Sequence, residues 1–304
     1  MKKFLLIFGI IMGVVIIGAA GYGYYLYDSV ADTASNMHEP VQRESADRDG
    51  AERADASSEE ESPLSFLIMG VDNRENDNGR TDTMIVLTVN PEQESMKMVS
   101  IPRDTRTEIV GRGMDDKINH AYAFGGPAMA MDTVENFLDI PIDYFVTINM
   151  EGFQEIVDSV DGVTVNNPFA FQDNGYTFEE GDIDLDGEEA LTYVRMRKED
   201  PQGDFGRNTR QRQVVEQVIR EGAQISSITR VGSMLEALGN NVRTNMSFDN
   251  MKDVQGDYRS ARHNMDTLEI TGQDNTIDGI YYLEVSADEK ERISNELREH
   301  MDLS

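Results

Sequence analysis

The chain of 304 residues reads as a mixed α/β protein preceded by one membrane-spanning helix. Three observations predict this. The stretch from Ser65 to Arg106 holds three strand-like runs with charged residues at their ends. The middle of the chain alternates helical and extended periodicity. The N-terminus carries an uncharged stretch of membrane-spanning length.

Phe66-Leu67-Ile68-Met69-Gly70-Val71 is wholly apolar, as a strand covered on both faces requires. A polar loop follows, from Asp72 to Asp82. Met84 to Val89 resumes the apolar pattern, Asn90-Pro91-Glu92-Gln93 turns the chain, and Met96 to Ile101 returns, which predicts a hairpin. Pro102-Arg103-Asp104-Thr105-Arg106 comes directly after. Carboxylates and guanidiniums therefore meet where buried strands emerge, and open α/β sheets bind ligands at such edges. Asp72 and Asp82 flank the loop and are placed to share one hard divalent cation. Mg²⁺ takes one or two carboxylates and completes its shell with water and phosphate oxygens. Arg80, Arg103 and Arg106 would offer forked donors to further phosphate oxygens. The plain alternative is a solvated loop with surface ion pairs.

Composition narrows the function classes. The net charge of −30, from 27 basic and 57 acidic residues, argues against generic binding to nucleic acid, since nothing offsets repulsion from its backbone. So high a charge suits work in concentrated salt, where screening weakens self-repulsion. Cysteine is absent, which excludes disulfides and thiolate metal sites.

Met1-Lys2-Lys3 precedes Phe4 to Tyr27, which contains no charge. At about 1.5 Å per residue such a helix spans roughly 36 Å, against a hydrocarbon core of ~30 Å. A cleaved signal peptide would use the small residues Ala19-Ala20. The length of the stretch and its run into Tyr22, Tyr24, Tyr25 and Tyr27 favour an uncleaved anchor. Lys2 and Lys3 place the N-terminus in the cytoplasm and the rest of the chain outside. Asp28 to Ser62 is acidic and poor in large apolar residues, which predicts a disordered tether. The expected organisation is a cytoplasmic end at 1–3, an anchor at 4–27, a linker at 28–62 and an extracellular domain at 63–304.

Further along, Pro127 opens a helix running to about Leu138, and His120 before it reads as a structural hydrogen-bonding residue. Ile142 to Ile148 is a strand. Asn149 caps a helix with Phe153, Ile156, Val157 and Val160 on one face, and Val163-Thr164-Val165 is a short strand. Asp182 to Gly187 imitates half a calcium loop, but the Glu expected at its twelfth position is Tyr193. Asp186 with Glu189 is better read as a capping box. In the C-terminal part Ile228 to Leu238 is helical, Leu268 to Ile270 and Ile280 to Val285 are strands, and Ala287 to Met301 is a helix with Ile293 and Leu297 facing in. This part should complete the same domain, because a unit of that size has a poor core alone.

A second charged cluster lies between these segments. In Tyr193-Val194-Arg195-Met196-Arg197, extended spacing would put Arg195 and Arg197 on one side. Gly203 to Gln211 then enters a helix whose apolar face carries Val214, Val215, Val218 and Ile219. Arg207, Arg210 and Gln211 share a face near its start, where free N–H groups and the dipole favour phosphate. Ion pairs with neighbouring carboxylates are the competing reading.

The strings Gly70-Val71-Asp72-Asn73-Arg74, Gly79-Arg80-Thr81-Asp82-Thr83-Met84 and Ser100-Ile101-Pro102-Arg103-Asp104-Thr105 resemble motifs of the LytR-CpsA-Psr family of bacterial envelope enzymes. Lys117 to Gly126, Tyr193 to Arg197 and Gly203 to Gln211 agree with its later motifs. The resemblance implies a three-layer α-β-α fold with a mixed central sheet and an apolar lipid tunnel. It implies a phosphotransferase that moves an anionic glycopolymer, such as teichoic acid or capsule, from a polyprenyl-pyrophosphate carrier to peptidoglycan. By the matched motifs Asp72 and Asp82 would hold Mg²⁺ (or Mn²⁺). Arg80, Arg103, Arg195, Arg197, Arg207 and Gln211 would grip pyrophosphate, with Asp82, Arg103, Arg195 and Arg197 as catalytic residues. Asp82 or Asp72 would take the proton of the acceptor hydroxyl. Tunnel candidates fall in Ala128 to Leu138 and Ile142 to Val160. Two other classes stay open: an Mg²⁺-dependent pyrophosphohydrolase of polyprenyl-pyrophosphate lipids, and a non-catalytic envelope protein that binds lipid or regulates wall synthesis.

Overall fold

The structure is a computed structural model that describes residues 31–41, 43, 62–72, 79–197, 199–222, 239 and 241–303. Its centre is strand β1 (Leu64–Asp72), which pairs antiparallel with β2 (Arg80–Asn90). As the turn residues predict, β2 returns antiparallel as β3 (Ser95–Ser100). A small ribbon of β4 (Arg106–Ile109) and β5 (Met114–Lys117) leads into helix α1 (His120–Leu138). Gly125 and Gly126 break that helix, and Pro127 restarts it. Strand β6 (Tyr144–Ile148) lies parallel to β1 on its other side.

Helix α2 (Met150–Ser159) follows, its cap formed by Asn149, which accepts from the Gly152 N–H at 2.7 Å. Strand β7 (Val163–Asn167), the ribbon of β8 (Phe171–Asp173) and β9 (Tyr176–Phe178), and β10 (Gly181–Leu185) form small side sheets. Asp186 opens helix α3 (Gly187–Arg195) with the expected capping box: it accepts from Glu189 N–H at 2.9 Å, and Glu189 accepts from the Asp186 N–H at 3.1 Å. Helix α4 (Asp204–Gly222) comes next.

The C-terminal part supplies β11 (Val242–Thr244), helix α5 (Phe248–Asp257), β12 (Asn264–Glu269), the hairpin β13 (Gln273–Ile277) and β14 (Ile280–Glu284), and helix α6 (Ala287–His300). Strands β11 and β12 close the two edges of one six-stranded sheet in the order β11-β6-β1-β2-β3-β12. Three of its pairs are antiparallel and two, β1 with β6 and β3 with β12, are parallel, so it is mixed.

Strand alternation assigns the two faces. Leu67, Met69, Met84, Val86 and Val99 meet Met131, Val134 and Leu138 of α1 and Ile293 and Leu297 of α6. Phe66, Ile85, Leu87 and Met98 face the other way, toward Val215 and Ile219 of α4 and Met251 and Val254 of α5. Helices therefore cover both faces of a central sheet, which is why its middle strands are apolar throughout. A third cluster joins Val157 of α2, Ala190, Tyr193 and Val194 of α3 and Val214 of α4 to the small side sheets.

One expectation is corrected. The reading of 28–62 as a disordered tether does not hold for residues 31–41 and 43. Residues 31–37 are helical, Ala34 and Met37 are buried, and Glu39 N–H bonds to Thr244 O at 2.8 Å. Arg43 forms an ion pair with Asp132 at 2.7 Å, another with Glu135, and a hydrogen bond to Ile142 O at 3.2 Å. Low overall hydropathy concealed a few apolar residues that suffice to dock the segment. No helix among the described residues is long and apolar enough to cross a membrane. The anchor expected at 4–27, the loop 73–78 and the helix expected at Ile228 to Leu238 lie outside the described residues.

Candidate active site

Strands β1 and β6 run parallel, so their C-terminal ends open at the same edge of the sheet, where antiparallel β2 begins and the chain leaving β3 reaches Arg103. The pairing of β1 with β2 slips there. Gly70 stands opposite Thr83 and Val71 opposite Thr81, which leaves Asp82 as the extra residue of a β-bulge. Bulges re-aim side chains at sheet edges. Asp82 and Asp72 line the same cavity, and Arg80 begins β2 opposite Asp72.

The cavity holds about 250 Å³. Ile68, Ile148, Phe153, Leu191, Val194 and Val215 supply its apolar wall; Asp72, Asp82, Arg195, Arg207 and Gln211 supply its polar part. On α4, Arg207 and Gln211 are one turn apart and Val215 one turn further, so a single helix face runs from charged to apolar. Arg195 reaches the cavity from the last residue of α3. Of the tunnel candidates, Ile148, Met150 and Phe153 line this cavity. Ala130, Met131, Val134, Phe137 and Leu138 pack instead in the core on the opposite sheet face.

The cationic groups are incompletely compensated. Arg207 is only 7% exposed, and its contacts are Asp204 at 3.0 Å and a marginal one to Asp82 O at 3.5 Å. Its Nε is buried and has no hydrogen-bond partner among the described residues. Burial lowers its pKa, and the nearby charges of Arg103 and Arg197 push the same way against Asp204 and Asp82. Arg103 pairs with Asp82, and its Nε stands 3.4 Å from Asp104 without making a hydrogen bond. Burial opposes its charge too, but the hydrogen bond it donates to Asp82 and the charges of Asp82, Asp104 and Asp204 outweigh it and raise the pKa. Buried donors without acceptors are costly in the free protein and are the groups an entering anion satisfies.

Three sequence expectations need correction. Arg195 and Arg197 do not share an extended strand: the capping box at Asp186 starts a helix that ends at Arg195, and Arg197 lies beyond it. Arg197 is absent from the cavity wall, lines a neighbouring cavity and lies 3.7 Å from Asp204. Arg210 turns into the core, where it bonds Asp200, Tyr193 O at 3.0 Å and Met196 O. Arg106 pairs with Asp115 at 2.8 Å and Glu284 at 3.5 Å on the β4–β5 side. His120 keeps the structural role assigned to it, bonding Asp116 at 2.7 Å.

Asp204 and Asp200 were not singled out from the sequence. The spacing of Asp204 three residues before Arg207 on one helix was the available signal for the first. Gly206 was the signal for the second: a Cβ there would fall 1.9 Å from Asp200 Oδ2, so only glycine lets α4 lie on that carboxylate. As to metals, no three acidic or histidine side chains converge among the described residues. Two carboxylates on one cavity fit Mg²⁺, which draws its remaining ligands from substrate and water.

A mixed α/β protein with an apolar cavity under a guanidinium-bearing sheet edge suits a molecule with an anionic head and an apolar tail. The chain belongs to the LytR_cpsA_psr family, whose profile matches residues 24–299. It is 57% identical over 308 aligned residues to the polyisoprenyl-teichoic acid–peptidoglycan teichoic acid transferase TagU of Halalkalibacterium halodurans, with all of both chains covered. Its fold is similar to the crystal structure of Bacillus subtilis TagU, at a TM-score of 0.65 and 51% identity, covering 79% of this chain and 97% of that one. It is also similar to a structure described as TagT bound to LIIa-WTA, at a TM-score of 0.68 and 30% identity, covering 79% and 91%. In keeping with these relatives, the chain is a transferase enzyme.

Proposed function

We propose that this chain transfers an anionic glycopolymer of the teichoic acid type from a polyprenyl-pyrophosphate carrier to peptidoglycan. The observation that carries the reading is the convergence of Asp72, Asp82, Arg195, Arg207 and Gln211 on one apolar cavity. The printed activity of the TagU relatives and the WTA ligand of the TagT structure support it. The prenyl chain lies along Ile68, Phe153, Val194 and Val215, and the pyrophosphate meets the polar end. An uncleaved helix at 4–27 holds the domain on the outer side of the membrane, where both carrier and wall are available.

In the reaction, an acceptor hydroxyl oxygen bonds to the phosphorus that bears the glycopolymer. The bond from that phosphorus to the bridging oxygen breaks, and polyprenyl phosphate leaves with the electron pair. The hydroxyl proton passes to a carboxylate beside the site, for which Asp82 and Asp204 are the candidates. Arg195, Arg207 and Gln211 bind phosphoryl oxygens, Arg103 holds Asp82 at the mouth and adds positive charge, and Arg80 and Arg197 add more. Preorganised donors of this kind supply the largest share of catalysis in phosphoryl transfer. Asp72 and Asp82 would hold Mg²⁺ (or Mn²⁺), which supplies charge neutralisation at the pyrophosphate.

The test is an assay of the full chain in detergent with polyprenyl-pyrophosphate-linked polymer, peptidoglycan strands and Mg²⁺. Attachment of polymer to the strands is expected, falling by about 10²–10³-fold in Asp82→Asn and Arg195→Met. Release of free phosphorylated polymer without attachment would instead identify a hydrolase. Undiminished attachment by both variants would remove the site from the reaction.

A further inference from the structure

A second cavity of about 480 Å³ adjoins the first. The two meet through ion pairs: Asp204 lines the second and lies 3.0 Å from Arg207, which lines the first. Arg103 repeats the connection, pairing with Asp82 of the first and standing 3.4 Å from Asp104 of the second. A molecule seated in the second cavity is thus one layer of side chains from the pyrophosphate position.

The two cavities differ in charge balance. The first holds Arg195 and Arg207 against two carboxylates. The second holds Asp104, Asp200, Asp204 and Asp274 against Arg197 alone. Asp200 is met by Arg210 and Asp104 by Lys117 at 2.6 Å, so the cavity is acidic without holding four free charges. Such a wall offers acceptor oxygens to the hydroxyls of a polyol. Two of its side chains are large, apolar and exposed: Phe205 at 41% and Tyr281 at 43%. Tyr281 is fixed by donating its hydroxyl to Asp274 at 2.7 Å. Exposed aromatic side chains beside carboxylates, one of them tethered, match a sugar ring, whose C–H face is apolar and whose edge carries hydroxyls.

We propose that this second cavity is the acceptor subsite, which seats a saccharide strand on Phe205 and Tyr281 with its reacting hydroxyl directed toward Asp204. This deepens the transfer reading above and rests on it for the acceptor's role. Asp274 positions Tyr281, and Asn208 and Gln202 add amide groups to the same wall.

The test measures binding of soluble peptidoglycan glycan strands to the full chain in detergent, independently of turnover. Wild type should bind them. Tyr281→Ala and Phe205→Ala should each weaken binding about tenfold, equivalent to about 1.4 kcal/mol, and raise the acceptor KM by the same factor while leaving the donor KM alone. Tyr281→Phe, which keeps the ring, should recover most of the affinity; a merely structural role for the side chain would not produce that split. Failure of wild type to bind the strands, or equal binding by both alanine variants, would overturn the subsite. So would an anionic poly(glycerol phosphate) chain that binds there in place of the glycan. Glycan binding lost in Tyr281→Ala with no polymer transfer by wild type would sustain the subsite and overturn the transfer reading instead.

Discussion

Arg207 and Arg210 sit three residues apart on α4, are both buried, and should fail in opposite ways when replaced by methionine. Arg210 is 1% exposed and bonds Asp200, Tyr193 O and Met196 O. Removing it strands the Asp200 carboxylate, whose side chain is 2% exposed. Breaking a buried pair on one side costs about 3–5 kcal/mol. At about 2–4 °C per kcal/mol for a domain of this class, Tm should fall by roughly 6–20 °C. Arg207 has an unpartnered Nε and a pKa already lowered by burial, so the free protein gains little from the cation. Its loss should change stability by no more than about 1 kcal/mol, or about 4 °C. Transfer should nonetheless drop about 10²–10³-fold, the size of one lost transition-state donor. Scanning calorimetry of Arg207→Met and Arg210→Met, paired with the transfer assay, reads both quantities. A large Tm loss in Arg207→Met, or retention of its activity, would refute the assignment of this residue to ligand rather than to fold.

Two helix starts carry further expected outcomes. The Arg292 hydrogen bond holds the Glu289 carboxyl down at about 2, so its contribution is present above the ordinary glutamate range and is lost as pH falls toward 2. Urea unfolding of wild type and Glu289→Gln should therefore differ near neutrality and converge in acid; a gap that persists unchanged at low pH would contradict the pairing. Asp186→Ala removes the cap of α3 and should cost about 1 kcal/mol, lowering Tm by about 2–4 °C, with a larger effect on Arg195-dependent transfer than on the fold. An unshifted Tm would show that the capping box does not hold the helix.

What could be read from the sequence was mostly local. The hairpin of β2 and β3, the caps at Asn149 and Asp186 and the inward residues of α6 each rest on a pattern a few residues long, and each is present. The motif residues Asp72, Asp82, Arg195, Arg207 and Gln211 come together on one cavity although 139 positions separate the first from the last. Features set by tertiary contact were not legible. The bulge that frees Asp82 breaks the period of two at a point no composition marks. Arg210 looks like a site residue because charges are expected at surfaces, yet its acceptors come from the end of α3 and the loop after it. Arg197 was placed by assuming an extended backbone where a helix ends. The docking of Arg43 depends on Asp132, Glu135 and Ile142, about a hundred positions away.

The most direct measurement is a crystal structure of residues 63–304 soaked with Mg²⁺ and a short-chain polyprenyl pyrophosphate. Prenyl density is expected between Phe153, Val194 and Val215, with phosphate oxygens on Arg195, Arg207 and Gln211 and a cation held by Asp72 and Asp82. A lipid bound elsewhere, or phosphates seated away from those guanidiniums, would contradict the proposed site.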